Sequence, residues 1–117
     1  MNDIPSFGIF FETLAVRDLR TYADALGARV SHYHDKGGLE CDAIVHLDDG
    51  TCGLVEVKLG GDRLIECGVE SLNGLYGKLD LSKMKTPSFR MVVVAAGEFA
   101  YRRPDGVIIC PIGCLRP

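Results

Sequence analysis

Asp42, Glu56 and Lys58 are the residues of this chain whose types and spacing could do chemistry. They sit in two apolar runs, Leu39-Glu40-Cys41-Asp42-Ala43 and Leu54-Val55-Glu56-Val57-Lys58-Leu59. Apolar strands seldom carry several ionisable groups without a task for them. Two carboxylates and a lysine converging on one patch are the minimum equipment for a divalent cation, a bound water and a scissile phosphodiester.

Convergence depends on the register of the hairpin between the runs, through Leu47-Asp48-Asp49-Gly50-Thr51. A two-residue loop at Asp49-Gly50 pairs Asp48 with Thr51 and sets Asp42 against Val57. A three-residue loop, a type I turn with Gly50 in the left-handed position, pairs Leu47 with Thr51. Asp42 then faces Glu56, and Glu40 faces Lys58. One slip in register swaps every side chain to the other face. The three-residue loop gives a wholly apolar face of Leu39, Cys41, Ala43, Val45 and Leu47 against Val55, Val57 and Leu59, with Glu40, Asp42, Glu56 and Lys58 on the other. The two-residue loop mixes charge with core on both faces, so sorting of polarity favours the register that assembles the site.

The elements that must hold these residues follow from periodicity and punctuation. A helix is expected from Ile9 to Leu26, stopped by Gly27. At ~100° per residue, Phe11, Ala15, Val16, Leu19, Tyr22, Ala23 and Leu26 share one arc, while Arg17, Arg20, Thr21 and Asp24 fall outside it. Glu12 lies inside the arc. Either it turns outward near the helix start, where the dipole favours a carboxylate, or it joins the acids from a neighbouring helix. Three strands follow as a meander, Arg29 to Asp35, then the Glu40–Asp42 run, then the Glu56–Lys58 run. A second helix is expected from Asp62 to Leu81, weakened by Gly68, Gly74 and Gly77. Phe89 to Ala96 reads as a fully buried strand, and a terminal hairpin turns at Pro104-Asp105-Gly106. A buried strand arriving after a crossover helix points to the α/β class, a mixed central sheet flanked by helices.

At 117 residues, 47% hydrophobic and 25% charged, the chain fits one globular domain over 1–117. No apolar run approaches the ~20 residues that span a bilayer, and no signal peptide opens the sequence, so no membrane role is expected. Five cysteines, an odd number without a Cys-x-x-Cys pair, suit a reduced cytoplasmic setting. Cys110 and Cys114 alone make half a zinc site. The net charge of −3 counts against tight autonomous DNA binding. There is no P-loop and no Gly-x-Ser-x-Gly elbow.

Glu12 in the first helix, Asp42 in one strand and Glu56-Val57-Lys58 in the next, in α-β-β-β-α-β order, resemble the PD-(D/E)XK nuclease-like fold of Holliday junction resolvases and restriction endonucleases. More closely, the chain resembles the C-terminal domain of unknown function of bacterial and archaeal P-loop (AAA-type) ATP-binding proteins. That likeness is carried by Phe10-Phe11-Glu12-Thr13, Tyr33-His34-Asp35-Lys36, Val55-Glu56-Val57-Lys58-Leu59-Gly60, Tyr101-Arg102-Arg103-Pro104-Asp105-Gly106-Val107 and Pro111-Ile112-Gly113-Cys114-Leu115.

The resemblance implies a restriction-endonuclease-like core belonging to the C-terminal part of a longer protein, with an ATPase module in the same polypeptide. It implies Mg²⁺ or Mn²⁺ held by Asp42, Glu56 and the carbonyl of Val57, with Glu12 as a third acid and Lys58 orienting water or stabilising charge on the phosphate. It implies cleavage of DNA, with pairing of two copies one way to cut both strands. Cys41 stands where that motif has proline. The alternative is a catalytically inactive, nuclease-like regulatory or protein-interaction module, in which Glu40 neutralises Lys58 as a cross-strand pair. For nucleic-acid contact the sequence offers Lys36, His46 (on the face of Asp42 in the favoured register), Lys83, Lys85, Arg102 and Arg103, the last four reading first as solvated surface; His32 and His34 read first as surface or half-buried histidines.

Overall fold

The computed structural model describes residues 3–34 and 40–115, with side chains from residue 10 onward. Its order is α1 (Asp3–Ala25), β1 (Arg29–His34), β2 (Glu40–His46), β3 (Cys52–Lys58), α2 (Asp62–Lys78), β4 (Phe89–Val94), β5 (Tyr101–Arg102), β6 (Ile108–Pro111) and a 3₁₀ turn at Ile112–Cys114. The six strands form one sheet in the order β1-β2-β3-β4-β6-β5. β1, β2 and β3 are antiparallel neighbours, β4 is parallel to β3 after the α2 crossover, β6 is parallel to β4, and β5 closes antiparallel on β6. This is the α/β class with a mixed sheet, as periodicity and strand burial predict.

The two helices cover opposite faces. α1 packs Phe11, Ala15 and Leu19 on Ala43, Val45, Val55, Val57, Met91 and Val93. α2 packs Val69, Leu72 and Leu75 on Cys41, Leu54, Val92, Val94 and Ile109. Successive residues of β4 thus feed alternate cores, which is why that strand reads as an unbroken apolar run. α1 begins at Asp3, ahead of the expected Ile9, because Pro5 falls in a first turn that needs no N–H from it. It ends before Gly27, whose φ of 77° is left-handed. Leu26, expected on the apolar arc, lies past the helix and is 63% exposed. α2 runs unbroken through its glycines. Gly68 lets it approach the sheet, since a Cβ there would stand 3.1 Å from Val92 and 3.3 Å from the Lys58 stem.

The hairpin adopts the three-residue register. Leu47 N–H donates to the Thr51 carbonyl at 3.0 Å, Gly50 has φ 86°, and Ala43 pairs with Val55. On the other side of β2 the register with β1 shifts by one between Ser31 and Tyr33, so both Asp42 and Ala43 stand opposite His32. This bulge modifies the expected faces. Ala43 and Val45 point to α1, but Cys41 crosses to the α2 side, and Ile44 and Leu54 make the second face a core as well.

Candidate functional site

Two side chains continue the hairpin where its backbone ladder ends. Among the described residues the last β2–β3 pair is Ala43 with Val55. Beyond it, Asp42 N–H donates to Glu56 Oε2 at 3.0 Å, and Val57 N–H donates to Asp42 Oδ2 at 2.8 Å. Each acid accepts from the opposite strand, so the expected meeting of Asp42 and Glu56 occurs through the backbone. The bulge opposite His32 aims Asp42 into this position.

The electrostatics are strained in one sense only. Glu56 is 7% exposed, the single buried charged residue among those described. Burial, followed by the charge of Asp42, pushes its carboxyl up to about 7. Glu12 is exposed, yet partial desolvation and the charges of Asp42 and Glu40 raise its carboxyl as well. Lys58 opposes both shifts. Cys41, donating through Sγ to the carbonyls of Ala43 and Val55 at 3.3 Å each, is held neutral by burial with its thiol pushed up to about 12. It offers no nucleophile.

Two clefts share Glu12 and Asp42. One, of about 500 Å³, opens between α1 and β1 and is lined also by Arg17, Arg20 and His32. The other, of about 430 Å³, opens toward α2 and takes in Glu40, Glu56 and Lys58, with Glu70 and Lys78 from the helix. Glu12, Asp42, Glu56 and Lys58 therefore border one continuous depression. Glu12 lies well inside α1, so helix-start stabilisation does not account for it. No ion pair joins Glu40 to Lys58 among the described residues, although both border the same cleft. Among those residues no group of three or more His, Cys, Asp and Glu is arranged to hold a metal ion.

None of the described basic residues expected at a nucleic acid lines these two clefts. Lys36 is outside the described residues. His46 does not share the face of Asp42, because the bulge separates their alternation; its Nε2 bonds Ser31 Oγ at 2.7 Å, and burial and Arg29 lower its basicity. Lys83 pairs with Asp80 at 3.8 Å, Lys85 donates to the Asp49 carbonyl, and Arg103 is forked onto Glu66 at 2.7 Å. Arg102 is exposed on β5. Arg17 and Arg20, which do border the acids, carried only the signal of falling outside the apolar arc. All five cysteines are free; Cys110 is buried and Cys114 exposed.

No helix among the described residues is long and apolar enough to cross a membrane. Neither a curated protein nor a solved structure matches the chain. Residues 7–115, nearly the whole length, match one family, and the chain belongs to it: the domain of unknown function DUF4143.

Proposed function

We propose that this chain is a metal-dependent phosphodiester hydrolase domain acting on DNA, with a restriction-endonuclease-like core, governed by an ATPase module in the same polypeptide. One observation carries the reading. Asp42 and Glu56 are locked together at the end of a hairpin, with Lys58 bordering the same cleft and making no ion pair among the described residues. The α-β-β-β-α-β order around a mixed sheet supports that core.

The donor set fits a hard divalent cation. Five acids, Glu12, Glu40, Asp42, Glu56 and Glu70, border one cleft, where burial and neighbouring carboxylates raise the carboxyls of Glu12 and Glu56. Mg²⁺ takes one or two carboxylates and keeps its remaining positions for water and phosphate, so a closed protein cage is not needed. Asp42, Glu56 and the Val57 carbonyl would hold it. Such an ion supplies charge neutralisation and a water of lowered pKa. The chain's residues do the rest. Asp42 and Glu56 are fixed by backbone N–H groups, Glu12 orients water from the α1 side, and Lys58 places positive charge where the phosphate becomes more anionic. Water adds across one P–O bond, leaving a phosphomonoester and a hydroxyl.

The test is cleavage of branched, single-stranded and duplex DNA by the purified protein with Mg²⁺ or Mn²⁺. Glu56→Ala and Lys58→Ala should each lose about 10²-fold or more. Unchanged activity in both variants rejects the residue assignment. A second reading, a non-catalytic regulatory module, is favoured by the ladder-closing hydrogen bonds of the two acids, which give them a structural duty. It predicts no metal binding, so Mn²⁺ binding by calorimetry that disappears in Asp42→Ala counts against it.

A further inference from the structure

Some cationic side chains of the described structure are engaged by neighbours. Arg90 stacks over Tyr76 at 4.7 Å and donates to Asn73 and the Asp105 carbonyl; Arg103, Lys83 and Lys85 are likewise engaged with acids or a carbonyl. Arg17 and Arg20 are exposed on α1, and neither guanidinium makes a hydrogen bond or ion pair among the described residues. Both line the 500 Å³ cleft with the exposed His32, and that cleft ends on Glu12 and Asp42. Two guanidiniums three residues apart share a helix face, and fork-shaped donors of this kind match phosphate oxygens. A rise of ~1.5 Å per residue puts Arg17 and Arg20 ~7.5 and ~12 Å along the axis from Glu12, so the two guanidiniums continue one line away from the acids.

We propose that Arg17, Arg20 and His32 form a phosphate shelf that holds a nucleic-acid strand along α1 and delivers it to the acids. This rests on the hydrolase reading for what happens at the acids, but the shelf is a binding site with its own readout. It also reconciles an acidic chain with an anionic ligand. Arg17 and Arg20 concentrate positive charge on one wall of the depression.

Fluorescence anisotropy of a labelled single-stranded DNA oligonucleotide, over a salt series in EDTA and again in Ca²⁺, tests it. Arg17→Ala/Arg20→Ala should weaken binding by about tenfold or more at low salt. It should also flatten the log–log salt slope by about 1.4, since each single-strand phosphate contact contributes ~0.7. Lys83→Ala, whose ammonium pairs with Asp80, should change neither. Unchanged affinity and slope in the double variant, an equal loss in Lys83→Ala, or no binding by the wild type under either condition overturns the shelf. So does displacement of the oligonucleotide by inorganic phosphate at equal phosphate concentration, which would make the ligand a free anion. Both arginines are exposed, and an unchanged thermal melt of the double variant confirms that its fold is intact. Binding through the arginines without cleavage in Mg²⁺ or Mn²⁺ rejects the hydrolase reading alone. Cleavage that persists while the double variant binds normally rejects the shelf alone.

Discussion

Replacing Glu56 with Gln should make the metal-free protein more stable at neutral and alkaline pH. Glu56 is buried beside Asp42, and its carboxyl is raised from 4.5 to about 7. The folded protein therefore holds this proton more tightly than the unfolded chain does. Stability from this group is fully present below pH about 4.5 and is lost as pH rises through about 7. At about 1.4 kcal/mol per pH unit, the loss across that window is roughly 3 kcal/mol, a large part of the stability of a small domain. Glutamine keeps an oxygen that accepts from Asp42 N–H, and it does not ionise. Urea unfolding in EDTA at a series of pH values measures the difference. The wild type should weaken relative to Glu56→Gln by roughly 3 kcal/mol between pH about 4.5 and about 8, with the curves converging at the acid end. Parallel curves would show that Glu56 ionises as a solvated carboxylate, and the electrostatic basis for a cation site would fail with it. Adding Mn²⁺ at the alkaline end should then stabilise the wild type and leave the variant nearly unmoved.

Asp42→Asn removes the second cause of the Glu56 shift while leaving burial in place, so the Glu56 midpoint should fall part of the way toward 4.5 by carbon-13 NMR; an unmoved midpoint contradicts the coupling. Gly53→Ala forces a methyl into the Phe89 ring, where a Cβ would stand 2.0 Å from the ring carbon, and should cost about 2 kcal/mol by denaturant titration. In a Phe89→Ala background the same change should be nearly neutral, and an equal cost in both backgrounds would exclude the ring as the cause. Gly50→Ala places a Cβ at φ 86° and should lower stability by about 1 kcal/mol without altering the Ala43–Val55 pairing seen in backbone NOEs.

The hairpin loop was legible because two independent signals agree there. Gly50 permits the left-handed residue that a three-residue loop requires, and only that register sorts polarity along the strands. The aim of Asp42 was not legible. It depends on a bulge opposite His32 that no glycine or proline marks, and the same bulge carries Cys41 to the other core and parts His46 from the acids. Periodicity correctly excluded Arg17 and Arg20 from the core. It says nothing about which strand lies along the margin of a helix, so their place beside Asp42 depends on how α1 lies across β1 and β2. Nor could charge counting show that Lys85 and Arg103 are engaged by the Asp49 carbonyl and by Glu66, neighbours brought in by folding.

The exchange of hydrogen bonds between Asp42 and Glu56 and the opposite strands has a consequence for how this family evolves. On the proposed hydrolase reading, a lineage that lost the reaction would still need acceptors there to finish the sheet, so both acids would be retained by selection for folding alone. Their persistence among descendants is therefore poor testimony to catalysis. The Lys58 ammonium closes no ladder and makes no ion pair among the described residues, so on the proposed hydrolase reading it is the least constrained of the three once the reaction is lost. Divergence at position 58 against constancy at 42 and 56 would be the mark of a member that keeps the architecture and has given up the reaction.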